Sequence, residues 1–359
     1  MATPLRLLAI PMRPTLSLLA AALLAGCAGP RPVATPTLTP QASGTDALLI
    51  AADAVSDRVV WAAGTGGTVS RTTDGGAAWT AQVVPGADTL QFRDVHAFSA
   101  TSALVLSIGP GAASRVFRTD DAGATWTTGF VNTEPDAFYD GFAFFDADHG
   151  LLFSDSVDGV FRIQSTDDGG RSWTPVPADR LPPAADGEGG FASSGTLVMT
   201  DGRQTAWIAT GNAAPARVLR TTDRGATWTA VEAPVAGGEA AGLTSIAVLG
   251  RGRLVAVGGP LGDPAARVDA VALSDDGGTS WRVGGRLPFA GAAYGAAAVP
   301  GTQAVVAVGP GGVALSRDAG ATWMPLSDVT HWGLTMAPSG RIGWLVGPDG
   351  RITQVRFDG

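Results

Sequence analysis

A ten-residue pattern that recurs six times leaves this chain little choice of architecture. It reads RTTDGGAAWT from Arg71, RTDDAGATWT from Arg118, STDDGGRSWT from Ser165, RTTDRGATWT from Arg220, LSDDGGTSWR from Leu273 and SRDAGATWMP from Ser316. Aligned on the tryptophan, every copy keeps Ser or Thr, one residue, Asp, one residue, Gly. The residue before the Trp is Ser or Thr in five copies and Ala78 in the first. This spacing suits a tight turn between two strands. A hydroxyl and a carboxylate two residues on accept backbone N–H groups inside the turn. The Gly takes the positive φ that a β-branched residue resists, and the Trp buries a wide ring against a neighbouring sheet. Trp79, Trp126, Trp173, Trp228, Trp281 and Trp323 stand 47, 47, 55, 53 and 42 residues apart, the length of a four-stranded unit.

Between the turns lie short β-branched runs bounded by Gly, Pro, Asn and Asp, each reading as a strand. The first cycle shows them as ALLIAADAV, VVWAAG, a GTGG turn, TVSRTT and, past the Asp turn, WTAQVV. Later cycles are expected to start near Gln91, Phe138, Gly187, Gly242 and Tyr294. After the sixth turn, HWGLTMAPSGRIGWLVGPDGRITQVRF repeats the strand, Gly turn and strand, and ends one strand short. A closed ring hides its edges, and an unpaired edge invites aggregation. A segment between about Arg31 and Ser43 is therefore expected to supply the missing strand. The fold expected is all-β, a seven-bladed propeller with four-stranded blades over residues 46–359, with a six-bladed ring and an unpaired tail as the alternative.

Residues 1–26 read as an export signal. Arg6 and Arg13 precede an apolar run, Leu16 to Ala25, too short to span a bilayer. The run ends in Leu24-Ala25-Gly26-Cys27, the pattern of a bacterial lipobox, so Cys27 is expected to be acylated; an ordinary signal peptide is the alternative. Residues 27–45, rich in Pro, Thr, Ala and Gly, form a tether.

Composition narrows the chemistry. All 24 basic residues are Arg, which excludes Schiff-base and P-loop lysines. The net charge of −8 makes nucleic acid a poor partner. One cysteine permits neither an intramolecular disulfide nor a thiolate metal site, and His96, His149 and His331 lie far apart, so no metal is expected. GTGGTV at Gly64 and GPGGVA at Gly309 lack the third glycine and open no helix. They are hairpin turns, and no dinucleotide or other cofactor is expected.

The pattern S/T-x-D-x-G-x-x-W resembles that of the Asp-box (BNR) repeat proteins, where it closes one turn of each propeller blade. GTGGTVSRTTDGG from Gly64, FYDGFAFFDADHG from Phe138 and DGEGGFASSGT from Asp186 are similar to a bacterial branch related to the photosystem II assembly-factor propellers, whose members are often labelled oxidoreductase or glycosyl hydrolase. The likeness covers nearly everything after residue 45. It implies boxes that link third and fourth strands around the periphery of one face. Asp74, Asp121, Asp168, Asp223, Asp276 and Asp318 are then structural. Ala28 after the Cys favours the outer membrane.

A ligand site is expected on the opposite face, at the starts of the innermost strands and the Gly turns. The second cycle places Arg93, Asp94 and His96 there, the third Tyr139 and Asp140, and the fourth Asp186 and Glu188. The fifth supplies Thr244 and Ser245, the sixth Tyr294, and the seventh His331 and Trp332. Tyr139 and Tyr294 are the only tyrosines and are expected at one structural position. Asp155 and Asp158 read as a surface turn. A solvated channel mouth without a ligand is the plainer reading of the whole set.

Family members of known role act as binding or assembly scaffolds. The leading expectation is a monomeric, non-catalytic lipoprotein scaffold for an envelope protein or glycan, on the outer membrane facing the periplasm. The alternative is a sialidase-like glycoside hydrolase. That chemistry needs a Tyr nucleophile, a Glu partner, an acid/base Asp and three arginines gripping a carboxylate. Tyr139 or Tyr294, Glu188 and Asp140 would take the first roles. Only Arg93 stands at an innermost-strand start, and FRIQ at Phe161 to Gln164 directly precedes a box.

Overall fold

The repeated turns build seven sheets, each of four antiparallel strands. The structure, a computed structural model, describes residues 1–2 and 33–357; the leader and Cys27 lie outside the described residues. The first blade runs outward from the axis as Leu49–Ala54, Val60–Gly64, Thr68–Thr72 and Thr80–Val83. The other innermost strands are Phe92–Ala97, Tyr139–Phe144, Val198–Asp201, Ala241–Gly250, Gly295–Ala298 and Gly333–Met336. The fourth begins at Val198 and not near Gly187, because FASSGT before it is not a strand.

The seventh blade takes its outermost strand from the other end of the chain. Thr37–Gln41 pairs antiparallel with Ile352–Arg356, Thr37 opposite Arg356 and Gln41 opposite Ile352. The ring therefore has seven blades. Leu38-Thr39-Pro40-Gln41 stands where Trp79-Thr80-Ala81-Gln82 stands in the first blade. The Gln82 amide donates to the Gly123 carbonyl of the next box at 3.2 Å, and the Gln41 amide donates to the Gly75 carbonyl at 3.3 Å. Pro40 is tolerated because an outermost strand needs no second ladder of donors. Arg317 in the sixth box holds the Val33 carbonyl at 2.8 Å and the Thr35 hydroxyl at 2.7 Å.

The core lies between blades. Alternation sends one face of each strand toward each neighbouring sheet, and the seam between blades seven and one shows it: Leu49, Val60, Trp79, Trp344 and Ile352 pack together. Trp61, Trp207 and Trp344, at equivalent places in second strands, are fully buried. Each such ring contributes about 1.5–3 kcal/mol of hydrophobic stabilisation.

The box turns follow the expected chemistry. In the second blade the Thr119 hydroxyl accepts the Gly123 N–H at 2.9 Å and donates to Asp121 Oδ1 at 2.9 Å. Asp121 Oδ1 also accepts the Thr125 N–H, and Oδ2 accepts its hydroxyl at 2.6 Å. The first box lacks that last bond because Ala78 has no hydroxyl. The tryptophans are less enclosed than expected: Trp79 and Trp228 are buried, while Trp126, Trp173, Trp281 and Trp323 are half-buried over their own turns. In three copies the indole N–H donates to the box Gly carbonyl.

Candidate functional site

Strand register identifies which residues occupy one place in successive blades. Each box Ser or Thr pairs with the start of the second strand, which in turn pairs with the end of the innermost strand. Four residues back from that end stand Ile50, Arg93, Asp140, Thr196, Thr244 and Tyr294, with Trp332 in the seventh blade. Arg93, Asp140, Tyr294 and Trp332 share one cavity of ≈ 300 Å³ on the face away from the boxes. Thr196 and Thr244 do not line it. The Thr244 hydroxyl is buried and donates to the Ala293 carbonyl at 2.7 Å.

Tyr139 stands one residue before this position, and one residue turns a strand side chain to the other face. The two tyrosines are thus not equivalent, which corrects the expectation. Tyr139 is buried between blades two and three, its ring 4.8 Å from Phe130 and its hydroxyl accepting from the Gln164 amide at 2.8 Å.

The cavity has aromatic walls and charged groups set behind them. The Arg93 guanidinium lies over the Trp332 ring at 5.2 Å, and the Trp332 and Tyr294 rings meet edge to face at 5.0 Å. Arg93 donates from Nη1 to the Ala192 carbonyl at 3.1 Å and from Nη2 to Gln91 Oε1 at 2.9 Å. Its Nε is buried with no hydrogen-bond partner among the described residues. Phe138, Phe191, Ile108 and Leu261 add to the apolar lining.

Asp140 is 2% exposed and its Oδ2 has no partner from any N–H or O–H of the described residues. It faces Asp155, which a bulge between Ser154 and Ser156 turns inward. Asp155 is therefore half-buried cavity lining, not part of a surface turn; Asp158 alone stays exposed at the turn. Asp155 Oδ1 accepts the Gly190 N–H at 2.7 Å. Burial, then the charge of Asp155, pushes the Asp140 carboxyl well above the usual range, and burial raises Asp155 as well. Two carboxyls in hydrogen-bonding contact resist ionising together. Burial also draws Arg93 down, opposed by Tyr294 and Asp140.

The other residues expected at the rim lie elsewhere. Asp94 is buried in the channel wall, and its carboxylate accepts the Val95 N–H at 2.8 Å and the Phe142 N–H at 2.9 Å, tying blade two to blade three. His96 points to the box-face end, with Nδ1 3.3 Å from Asp53 Oδ2 and its ring stacked on Phe144 at 4.7 Å. Glu188 is buried in an ion pair with Arg217 and accepts from the Thr210 hydroxyl at 2.7 Å, so it offers no free carboxylate to a ligand. Asp186 is exposed and does not line the cavity. His331 is buried: its Nδ1–H donates to the Val329 carbonyl at 2.9 Å, and Nε2 accepts from the Thr353 hydroxyl at 3.0 Å. Burial lowers its pKa to about 4, so it is neutral.

The cavity floor comes from the stretch that displaced the fourth blade. Phe191 to Gly195 crosses the axis. The Ser193 hydroxyl donates to the Tyr294 carbonyl at 2.9 Å, and Ala192 holds Arg93. At Gly195, φ is +73° and a Cβ would come within 2.7 Å of Asp94 Oδ1 and 2.9 Å of Ala51, so glycine is needed at this crossing. Below it a second space of ≈ 300 Å³ is lined by innermost strands of all seven blades, Asp53, His96 and Phe144 included. The crossing segment thus separates a cleft from an axial chamber. Phe191 and Asp155 are among the lining residues that the repeat pattern did not assign to the site, with Ile108, Phe138 and Leu261. The signal for Phe191 was the longest tryptophan interval, 55 residues, which spans this stretch.

No protein-family model and no curated protein matches the chain. Solved structures do. YCF48 bound to D1 peptide is 16% identical with a TM-score of 0.62, covering 93% of this chain and 100% of that one. YCF48 from Cyanidioschyzon merolae is 16% identical with a TM-score of 0.63, covering 89% and 98%. A GH74 xyloglucanase from Xanthomonas campestris is 18% identical with a TM-score of 0.60, covering 88% of this chain and 53% of its own, so the chain spans about half its length. At these identities the likeness is one of fold, and the architecture shared with YCF48 and the GH74 protein is the β-propeller.

Proposed function

We propose that this chain is a non-catalytic binding or assembly scaffold of a bacterial envelope. In this reading it is an exported lipoprotein, held to the outer membrane through acylated Cys27 and facing the periplasm. It works as a monomer and engages an envelope component through the cleft. The observation that carries the reading is convergence: Arg93, Asp140, Tyr294 and Trp332 come from four blades to one half-buried cavity. Buried polar groups without partners are rare in a finished core, and this cavity holds two, Arg93 Nε and Asp140 Oδ2. Val33, the residue nearest Cys27 in this stretch that is described, is held by Arg317 at the sixth box, on the face opposite the cleft, which is compatible with an anchor. YCF48, alike in fold, has been solved with a D1 peptide, and an envelope protein or glycan is the class of partner supported here.

The hydrolase alternative has less support. The Tyr139 hydroxyl is buried and occupied by Gln164, and Glu188 is occupied by Arg217. Asp140 and Asp155 are in hydrogen-bonding contact, whereas two acids that flank a glycosidic bond stand about 5–9.5 Å apart.

Affinity capture of the full chain from detergent-solubilised envelope tests the reading. A stoichiometric partner whose recovery falls roughly tenfold on Arg93→Ala or Tyr294→Ala supports it. Capture that ignores both substitutions sinks it. Cys27→Ser should abolish acyl labelling and release the protein from membranes; unchanged membrane association removes the anchor.

A further inference from the structure

The cleft's charge balance and open hydrogen-bonding positions define a ligand more closely than the fold does. Arg93 contributes one positive charge, and the facing carboxyls of Asp140 and Asp155 line the same cavity, so groups of both signs stand within it. A ligand carboxylate drawn to Arg93 would also meet the acid pair, and a ligand ammonium drawn to the acids would also meet Arg93. Either would lose its water for a partner whose charge is already opposed within the cavity, which is costly in a half-buried site. The favoured ligand is uncharged.

That ligand must also be polar at its edge and apolar on its face. Arg93 Nε and Asp140 Oδ2 are buried in the cavity's walls with no hydrogen-bond partner among the described residues, and Tyr294 and Trp332 join Arg93 and Asp140 in the lining. These four side chains carry the polar groups that a ligand's hydroxyls can meet. Between them stand the flat walls of Trp332, Tyr294, Phe138 and Phe191. A sugar ring matches both demands, with C–H groups on its faces and O–H groups around its rim. A carboxamide side chain has the polar edge and no comparable apolar face. The ≈ 300 Å³ cavity lies at the small end of ligand sites, and the Phe191 to Gly195 crossing closes it below. It admits the end of a chain and not its passage.

We infer that the cleft bounded by Arg93, Asp140, Tyr294 and Trp332 is a non-catalytic site for the terminal ring of an uncharged saccharide. This rests on the reading of the cleft as the binding face and adds the class of ligand. It sets the site against anionic sugars, since the Arg93 that a sialic or uronic acid carboxylate would seek shares the cavity with the Asp140–Asp155 pair.

The test is titration of the full chain in detergent with a panel of neutral mono- and disaccharides of pyranose and furanose type. Glucuronic acid, N-acetylneuraminic acid and glucosamine serve as charged counterparts, and binding is read by calorimetry and by saturation-transfer NMR. At least one neutral sugar should bind, and Trp332→Ala and Arg93→Ala should each weaken it at least roughly tenfold. Charged counterparts should bind at least roughly tenfold more weakly than the neutral one. Trp332→Phe, which keeps an aromatic wall, should retain most of the affinity and guards against a folding defect. Failure of the whole neutral panel overturns the inference, as does sugar binding indifferent to Trp332→Ala or tighter binding of a charged counterpart. If the panel fails while capture of an envelope protein still depends on Arg93 and Tyr294, the ligand class is wrong and the binding face stands. If capture fails too, both fall.

Discussion

On one face of the ring six aspartates sit in turns at the surface with their carboxylates engaged; on the other, Asp140 is buried with an oxygen to spare. In five of the six boxes both carboxylate oxygens take hydrogen bonds from within the turn. The acids are held down accordingly. Hydrogen bonds from the Thr125 hydroxyl and N–H lower Asp121, and at Asp168 burial, the largest single effect, pushes upward but is outweighed by the combined hydrogen bonds of Ser172, Thr166 and Arg171, leaving it at about 2. Asp140 is driven the opposite way by burial and by Asp155. A repeated acid is satisfied by its own repeat. An acid that occurs at one blade only is satisfied, where it is satisfied at all, by something outside the repeat.

The comparison breaks most visibly at Glu188, a single acid on the cleft side that resembles a site residue and is structural. Glu188→Ala would leave Arg217 largely buried without its counter-charge, and should destabilise the fold by about 3–5 kcal/mol in urea unfolding. Little loss of stability would mean that the Arg217 pair is loose and that Glu188 is free to meet a ligand.

Glu188 also shows where a linear reading stops. Blade number, box chemistry and the closing strand were legible because each repeats: the Trp interval counts blades, and a ring one strand short asks for its partner. Arg93, Asp140, Tyr294 and Trp332 were legible because cycle starts fall at one end of the ring. Glu188 and Asp186 were displaced because GGFASSGT carries no strand pattern, so a start was assumed at Gly187 where the chain instead crosses the axis. Tyr139 and Asp155 were misjudged through single-residue effects, a step in register and a bulge. Neither changes composition or period, yet each decides which way a side chain points.

Asp94 extends the comparison into the channel wall. It is as buried as Asp140, but both its oxygens accept backbone N–H groups, from Val95 and from Phe142 of the next blade. Asp94→Ala leaves the Phe142 N–H unpaired in a seam between sheets and should cost roughly 2–3 kcal/mol. Equal stability in denaturant titration would show that the seam does not rely on this bond.

A milder change tests the box face. In Asp223→Asn the amide keeps one acceptor for the Thr227 N–H, now made by Oδ1 at 2.9 Å, and loses the one that takes the Thr227 hydroxyl at 2.6 Å. The turn is mostly exposed, so water softens the loss. A drop of about 1 kcal/mol is expected, with no change in ligand capture. Loss of capture would move function to the wrong face.

The smallest effect is the most discriminating, because the same substitution on the cleft side has the opposite sign. Asp140→Asn replaces a carboxyl whose pKa burial and Asp155 push well above the usual range, and the amide N–H can donate to Asp155 as the protonated acid does. Near pH 4 the variant and the wild type should agree to within about 0.5 kcal/mol. A folded-state pKa raised above the unfolded value gives a contribution that is complete below the unfolded pKa and is lost as pH rises through the folded one. The wild type must therefore lose stability relative to the Asp140→Asn variant, which has nothing to titrate at that site. The gap should widen steadily from the ordinary carboxylate range toward neutrality. Urea unfolding of both proteins at pH 4.5 and pH 7.5, chosen as roughly bracketing that window, reads the difference directly. An amide variant that is less stable at the higher pH would mean that Asp140 is ionised in the fold, and the cleft would then carry a net negative charge suited to a cation.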